Sequence, residues 1–299
     1  MKTAVIGAGA IGGYFAAMLT EAAHESLLCV RTPFDQLTLE DDGKRQTVAT
    51  TIVSRPDAIA EDFLPADLVV LATKAQDSES AESWLRRLVG PETLVLVAQN
   101  GVDHVERVGK MCGEGRIVPS IVYVAAERVA PGRIVHHSNS RLVVPDDVDG
   151  RRIAEIFSGT KLKVETEPDF LTAAWRKLLS NVVANPITAL TLRRMDVFKD
   201  PDVADLTRAL MKEAVAVAAA QGARLDDSDV ERVLSSYDRI NPQSGSSMLY
   251  DRLAGRSLEH EHLTGAVVRA GERHGVATPL NRAILTLLSA VDPAPIARP

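Results

Sequence analysis

The 299-residue sequence predicts an α/β domain followed by an all-helical one, and three observations carry that prediction. First, an apolar run, Thr3-Ala4-Val5-Ile6, leads into Gly7-Ala8-Gly9-Ala10-Ile11-Gly12 and then an amphipathic stretch, Tyr14 to Leu19. Strand, glycine turn and helix form the context a dinucleotide-binding loop requires. Gly7 permits the tight turn, Gly9 lets the backbone approach a pyrophosphate, and Gly12 lets helix and strand pack closely. The N–H groups opening the helix then face the phosphates. Second, Ala66 to Ala72, with a polar start at Asp67, and Leu94 to Ala98 are continuous apolar runs, which suit strands buried on both faces of a parallel sheet. Third, from Asp169 onward strand-like alternation gives way to helical spacing. The predicted architecture is a Rossmann-type dinucleotide-binding domain over residues 1–167 and a helical domain over residues 168–299, with the boundary at Glu167-Pro168.

Composition narrows the function classes. Hydrophobic residues make up 45% of the chain, enough for a sizeable core, and the net charge of −6 disfavours a dedicated nucleic-acid binder. No apolar run is long enough to span a bilayer. Cys29 and Cys112 show no metal spacing, Cys29 lies in an apolar run, and both are expected reduced. The glycine loop begins almost at once, so no signal peptide and a cytoplasmic location are expected.

In chain order, Ser26 to Val30 reads as the second strand, with Arg31 at its end. An acid there favours NAD through the ribose hydroxyls, whereas an arginine accommodates the extra phosphate of NADP; the bland alternative is a surface arginine. Glu40 to Lys44 reads as a turn, and Gln46 to Val53 as an added strand pair. Lys74 and Asn100 follow the two buried strands at their carboxyl ends, where ligands bind in open α/β sheets. Ile121–Val124, Gly132–His136 and Arg141–Val144 read as short strands extending the sheet in antiparallel fashion. Adjacent His136 and His137 point to opposite faces of a strand, which makes a chelating pair unsuited and a structural role the better reading. Residues 151–157 form a helix candidate and 162–164 a last strand.

In the second half, helices are expected over residues 170–192, 203–221, 229–237, 258–274 and 279–288, with Gly222 stopping the second and fraying from Asp292-Pro293. A cleft between the halves is the expected place for a small-molecule site. The first of these helices is the most informative. Lys177, Asn181 and Asn185 recur every four residues and share a face. Asparagine is a poor helix former, so two at this spacing favour a site over a solvated face. Pro186 is expected to kink the helix.

These residues carry a resemblance. The glycine loop, Lys74-Ala75, Gln99-Asn100-Gly101, Trp175 to Asn181 with Asn185-Pro186, and Ser246-Ser247-Met248-Leu249 followed by Glu259 resemble the ketopantoate reductases, in order and over nearly the whole chain. The lysine–asparagine helix and the Ser-Ser-Met-Leu segment are far more specific than the glycine loop. The resemblance implies NADPH-dependent reduction of 2-dehydropantoate to (R)-pantoate, in pantothenate and coenzyme A biosynthesis, with no metal. Lys177 matches the general acid, and Glu259 the carboxylate that assists proton handling and touches the cofactor side. Asn181, Asn185 and Ser247 match substrate contacts, and Asn100 a residue at the junction of nicotinamide and substrate. Gly7, Gly9, Ala10, Ile11 and Gly12 match the pyrophosphate loop, Arg31 and Lys74 the adenosine-phosphate end, and Ala125 a backbone contact to the cofactor.

The sequence departs from the family pattern at Thr191 to Met195, at Tyr250 and at Thr264-Gly265. These departures alter the substrate side more than the hydride-transfer machinery. The alternatives are therefore a reductase of another small 2-oxo acid, a related 3-hydroxy acid dehydrogenase, and a catalytically silent NADPH-binding sensor. Retention of Lys177 and Glu259 disfavours the sensor. Fold analogy points to a homodimer through the helical half.

Overall fold

The computed structural model describes residues 1–292, which divide into two units between Phe170 and Leu171. The first unit runs β1 (Lys2–Ile6), α1 (Ala10–Glu21), β2 (Glu25–Cys29), β3 (Leu37–Asp41), β4 (Lys44–Val48), β5 (Thr51–Val53), β6 (Leu68–Leu71), α2 (Glu82–Leu88), β7 (Leu94–Val97) and α3 (His104–Val108). It continues through β8 (Arg116–Pro119), β9 (Ile121–Ala130), β10 (Arg133–Pro145), α4 (Val148–Ile156) and β11 (Lys163–Glu167).

Six of these strands form an all-parallel sheet in the order β5-β2-β1-β6-β7-β8. Counted within that sheet alone, the order is 3-2-1-4-5-6, the doubly wound arrangement whose direction reverses between β1 and β6. Strand alternation sorts the apolar side chains onto two faces. Val5, Leu28, Val70 and Leu96 point to the α1 side, where Tyr14, Phe15 and Met18 complete one core. Ala4, Ile6, Val69, Leu71, Val95 and Val97 point the other way, against Trp84, Leu85 and Leu88 of α2. Because both faces are covered, β6 and β7 are buried at every position, as their unbroken apolar runs predict.

The remaining strands correct two expectations. The long hairpin of β9 and β10 does not extend the first sheet. It builds a second sheet, ordered β11-β10-β3-β4 with β9 also on β10, and residues 121–144 hold two long strands rather than three short ones. Register shifts at His136/Ser138 and Ser138/Ser140 break the alternation that would have marked one continuous strand. Likewise β4 and β5 are not a pair. β4 joins β3 in the second sheet, and β5 lies parallel to β2 in the first. α1 lies against this second sheet closely enough that a Cβ on Gly13 would meet Ile134 at 2.5 Å.

The second unit is helical: α5 (Phe170–Thr191), whose first residue belongs to the unit before, α6 (Pro201–Ala220), α7 (Asp227–Tyr237), α8 (Ser247–Leu253), α9 (Thr264–His274) and α10 (Pro279–Val291). Asp200 caps α6 ahead of Pro201, and Gly222 follows it at φ +90°, a left-handed position suited to glycine. Asp226 and Asp229 form a reciprocal capping box on α7. α5 continues as one helix through Pro186. The stretch expected as one helix over 258–274 is a 3₁₀ turn, His260–His262, and then α9, separated at Leu263. The short helix α8 was not expected. Fraying beyond Asp292 lies outside the described residues. Among the described residues no helix is long and apolar enough to cross a membrane, and no group of three or more His, Cys, Asp or Glu is placed to hold a metal ion.

Candidate active site

In the first unit, the candidate nucleotide-binding residues lie at the carboxyl ends of β1, β2, β6 and β7. Gly7 sits at φ +105° and its N–H donates to the Cys29 carbonyl at 3.0 Å, so the ladder with β2 runs to the end of β1 before the chain turns into α1. A Cβ on Gly7 would lie 2.9 Å from the Thr73 nitrogen at the end of β6, and one on Gly12 would lie 1.8 Å from the Gly7 carbonyl oxygen. Both glycines are therefore demanded by backbone packing alone.

Gly9 is different: a Cβ there would meet nothing within 4 Å. It precedes α1 as the N-cap, no side chain caps the helix, and the first turn, with Ala10, Ile11 and Gly12, carries no acidic residue. The positive end of the helix is left to an external anion, and the space over Gly9 fits a pyrophosphate. Arg31, just beyond β2, is exposed, and its guanidinium makes no hydrogen bond or ion pair among the described residues. A free guanidinium at that strand end fits a phosphate on the adenosine ribose.

Lys74 precedes the 3₁₀ helix Ala75–Ala81, at the end of β6. Asn100 follows β7, before Gly101 at φ +111°. A buried polar hub ties these two ends together. The Gln99 side-chain N–H group donates to the Thr73 hydroxyl at 2.9 Å and to Ser78 Oγ at 3.0 Å. Arg107, nearly buried, donates to Gln99 Oε1 at 3.3 Å, to the Asn100 carbonyl at 3.2 Å and to Asp103 Oδ1 at 2.6 Å. His104 Nε2 donates to the Gln99 carbonyl at 2.8 Å. Burial, with the Arg107 charge beside it, lowers that imidazole to about 4, so His104 is neutral near pH 7. Arg107 and His104 gave no signal in the sequence, because their roles depend on contacts across loops. Ala125 lies half-buried in β9, opposite Ser138 at the irregular part of the hairpin.

In the second unit, candidate residues lie along α5. Lys177 and Asn181 are half-buried, and Asn185 is 3% exposed. Asn185 Oδ1 accepts from Ser247 Oγ at 3.3 Å and from the Met248 N–H at 3.4 Å. The structure thus joins two residues that are far apart in sequence and both matched to substrate contacts. Ser247 is exposed while Asn185 is enclosed, so a buried amide anchors an exposed hydroxyl. Glu259 is buried, at 4% exposure, immediately ahead of the turn His260–His262.

Taken by themselves, the 3-2-1-4-5-6 sheet, the glycine turn with open space above Gly9, and the free Arg31 define a Rossmann-type dinucleotide-binding protein. Comparison with known proteins identifies which kind. The chain belongs to the ketopantoate reductase family: residues 3–147 match ketopantoate reductase PanE/ApbA, and residues 169–292 match the ketopantoate reductase PanE/ApbA C-terminal domain. It is 39% identical to the 2-dehydropantoate 2-reductase of Caulobacter vibrioides, over 96% of this chain and 98% of that one. It is also 39% identical to the 2-dehydropantoate 2-reductase of Mycobacterium tuberculosis, over 98% of each. The crystal structure of a PanE/ApbA family ketopantoate reductase from Ralstonia eutropha superposes with a TM-score of 0.88 at 32% identity, covering 97% of this chain and 98% of that one. The family consists of oxidoreductases acting on a CH–OH/C=O pair, and its cofactor is NADPH.

Proposed function

We propose that this chain reduces 2-dehydropantoate to (R)-pantoate with NADPH, a step of pantothenate and coenzyme A biosynthesis, and that Lys177 is its general acid. The observation that carries the reading is the α5 stripe. Lys177 shares a helix face with Asn181 and Asn185, and Asn185 is bonded to the exposed Ser247. A cation beside neutral hydrogen-bonding groups suits a substrate that is an anion with a ketone and a hydroxyl.

NADPH, when bound, supplies the hydride that adds to the ketone carbon. The protein's part is to manage the oxygen. The Lys177 ammonium donates to the ketone oxygen, stabilises the negative charge developing there, and delivers the proton. Lysine suits this better than arginine, which does not readily give up a proton. Glu259 holds the ammonium and assists its reprotonation. Asn181 and Ser247 bind the substrate's polar groups without adding charge, Asn185 orients Ser247, and Asn100 serves the nicotinamide side. Gly7, Gly9, Ala10, Ile11 and Gly12 hold the pyrophosphate, with Arg31 and Lys74 at the adenosine phosphate and Ala125 as a backbone contact.

The test is turnover of a panel of 2-oxo acids with NADPH and NADH, in the wild type and in Lys177→Ala. Wild-type preference for 2-dehydropantoate and NADPH is expected. Removing a positioned general acid costs on the order of 100- to 10,000-fold in rate, while NADPH affinity, read by fluorescence, stays close to the wild type. Near-normal turnover in Lys177→Ala overturns the mechanism, and a wild type that prefers another 2-oxo acid overturns the substrate.

A further inference from the structure

The segment Asn241-Pro242-Gln243-Ser244-Gly245-Ser246 leads into α8 and so into Ser247. It contributes no large apolar side chain beyond Pro242, so its path must be fixed by hydrogen bonds. Within it, Asn241 Oδ1 accepts from the Gln243 N–H at 2.9 Å, and the Asn241 carbonyl from the Ser244 N–H at 2.8 Å. The remaining bonds come from outside. Arg194 Nη1 donates to the Gln243 carbonyl at 2.8 Å. Backbone N–H groups of Asp196 and Met195 donate to the carbonyls of Pro242 at 3.1 Å and Ser244 at 3.0 Å. The Tyr250 hydroxyl accepts from the Gly245 N–H at 3.0 Å, and the ring lies so close that a Cβ on Gly245 would be 2.9 Å from Tyr250 Cζ. The hydroxyls of Thr188 and Ser246 share a hydrogen bond of 2.7 Å, and Ser246 Oγ accepts from the Leu249 N–H at 3.1 Å. Every residue from Pro242 to Met248 is thereby tied either to its neighbours or to α5 and the turn that follows it.

Two of these ties come from side chains that the core does not require. Arg194 is exposed and Tyr250 is 44% exposed. Long polar side chains at a surface ordinarily keep their polar ends in water. Here both ends are committed to the backbone of one strap, on the approach to one serine.

We infer that Arg194 and Tyr250 are positioning residues that fix the 242–246 strap, hold the Ser247 hydroxyl at one place, and thereby set which 2-oxo acids the chain accepts. The inference rests on Ser247 being a substrate contact, as proposed above. A site built to hydrogen-bond a substrate hydroxyl rejects analogues that lack it, because its own polar group is then left unpaired. That discrimination requires the serine to be held still. A loosened strap lets Ser247 turn to water instead, which weakens binding of the hydroxylated acid and leaves the deoxy analogue almost unaffected.

The experiment uses the full chain with Tyr250→Phe, which deletes only the hydroxyl, Arg194→Met, which keeps the stem, and Arg194→Lys, which keeps a donor. KM and kcat are measured for 2-dehydropantoate and for 3,3-dimethyl-2-oxobutanoate, which lacks its hydroxyl. Hydrogen exchange is followed over residues 242–248. Tyr250→Phe and Arg194→Met should speed exchange in the strap about 5-fold, the effect of one lost hydrogen bond. They should raise KM for 2-dehydropantoate about 5- to 10-fold with kcat nearly constant, as for a lost ground-state contact. KM for the deoxy acid and for NADPH should stay within about twofold, and Arg194→Lys should recover most of the loss.

Faster exchange with both acids unaffected overturns the link to substrate choice. Equal loss on both acids with a lowered Tm reduces the pair to structural bonds and also overturns it. Unchanged exchange overturns the strap assignment itself. A wild type inactive on 2-dehydropantoate refutes the proposed function instead, and the exchange data still decide whether Arg194 and Tyr250 hold the strap.

Discussion

Replacing Gly9 by alanine separates a cofactor loop from a merely structural turn, and the geometry sets the expected size of the effect. Gly9 has φ −76°, ordinary for alanine, and an added Cβ would meet nothing within 4 Å. Alanine is a poorer N-cap than glycine by about 0.5–1 kcal/mol. It also removes about 0.4–1 kcal/mol of unfolded-chain entropy, so the two terms nearly cancel. Tm should move by less than about 2 °C. The new methyl nevertheless occupies the open space over the start of α1, and NADPH affinity should fall at least about tenfold, or 1.4 kcal/mol. Gly12→Ala is the contrasting control. Its Cβ would lie 1.8 Å from the Gly7 carbonyl oxygen and 3.0 Å from the Gly7 carbonyl carbon. Backbone cannot rotate away as a side chain can, so α1 must separate from β1, at a cost of about 3 kcal/mol or more. Circular dichroism on heating and NADPH fluorescence titration read the two quantities separately. Wild-type NADPH affinity in a stably folded Gly9→Ala protein would show that the pyrophosphate is not held there.

The other expectations concern charge and burial. Arg31→Asp should weaken NADPH binding and improve the relative use of NADH, because a phosphate partner is replaced by a like charge; an unchanged ratio of kcat/KM for the two cofactors would place the phosphate elsewhere. Burial pushes the thiol of Cys112 up to about 11 and that of Cys29 higher still, so a thiol-reactive disulfide reagent at pH 8 should find neither in the native protein and both in urea; rapid native labelling would contradict the burial. Asp229 accepts from Arg176 Nε at 2.9 Å and also pairs with Arg232. Burial pushes its carboxyl up, but the Arg176 hydrogen bond, the Asp226 N–H and the two guanidinium charges outweigh that, so it titrates below the usual carboxylate range. A lowered folded pKa means that this stabilisation is present above the unfolded value, about 3.9, and is lost as pH falls through the folded one. With both arginines half-exposed, Asp229→Asn should cost about 1–2 kcal/mol at neutral pH and almost nothing well below pH 3; urea midpoints at both pH values test this, and an equal loss at both would refute it.

What could be read from the sequence was what local chemistry dictates. The glycine turn was legible because backbone contact at Gly7 and Gly12 leaves no alternative to glycine, and the central strands because burial on two faces demands an unbroken apolar run. The α5 stripe was legible because a helix converts a spacing of four into a shared face. Gly222 marked a helix end because only the left-handed region fits there.

The misreadings came where no clean periodicity marks the element or its partner. β4 joins β3 through the two-residue turn Asp42-Gly43, a local hairpin signal that reading Gln46 to Val53 as one strand pair passed over, whereas β5 joins β2 about one βα unit away, which no local pattern marks. The hairpin of β9 and β10 was broken into pieces because its bulges interrupt the alternation by which a strand is recognised. α8 is only seven residues long, too short for helical periodicity to show. Its existence depends on Ser246 as cap and on Thr188 and Asn185 across from it, so the sequence displayed Ser246-Ser247-Met248-Leu249 as a motif without the helix that gives it shape. The same limit applies to the site. Residue types suited to the chemistry were visible one by one, but Arg107 reaches Gln99 and Asn100 across a loop that has no periodicity, and Asn185 acting on Ser247 is a relation between distant segments. A hydrogen bond between residues 62 positions apart leaves no periodic trace, and only the folded chain makes Asn185 the residue that orients Ser247.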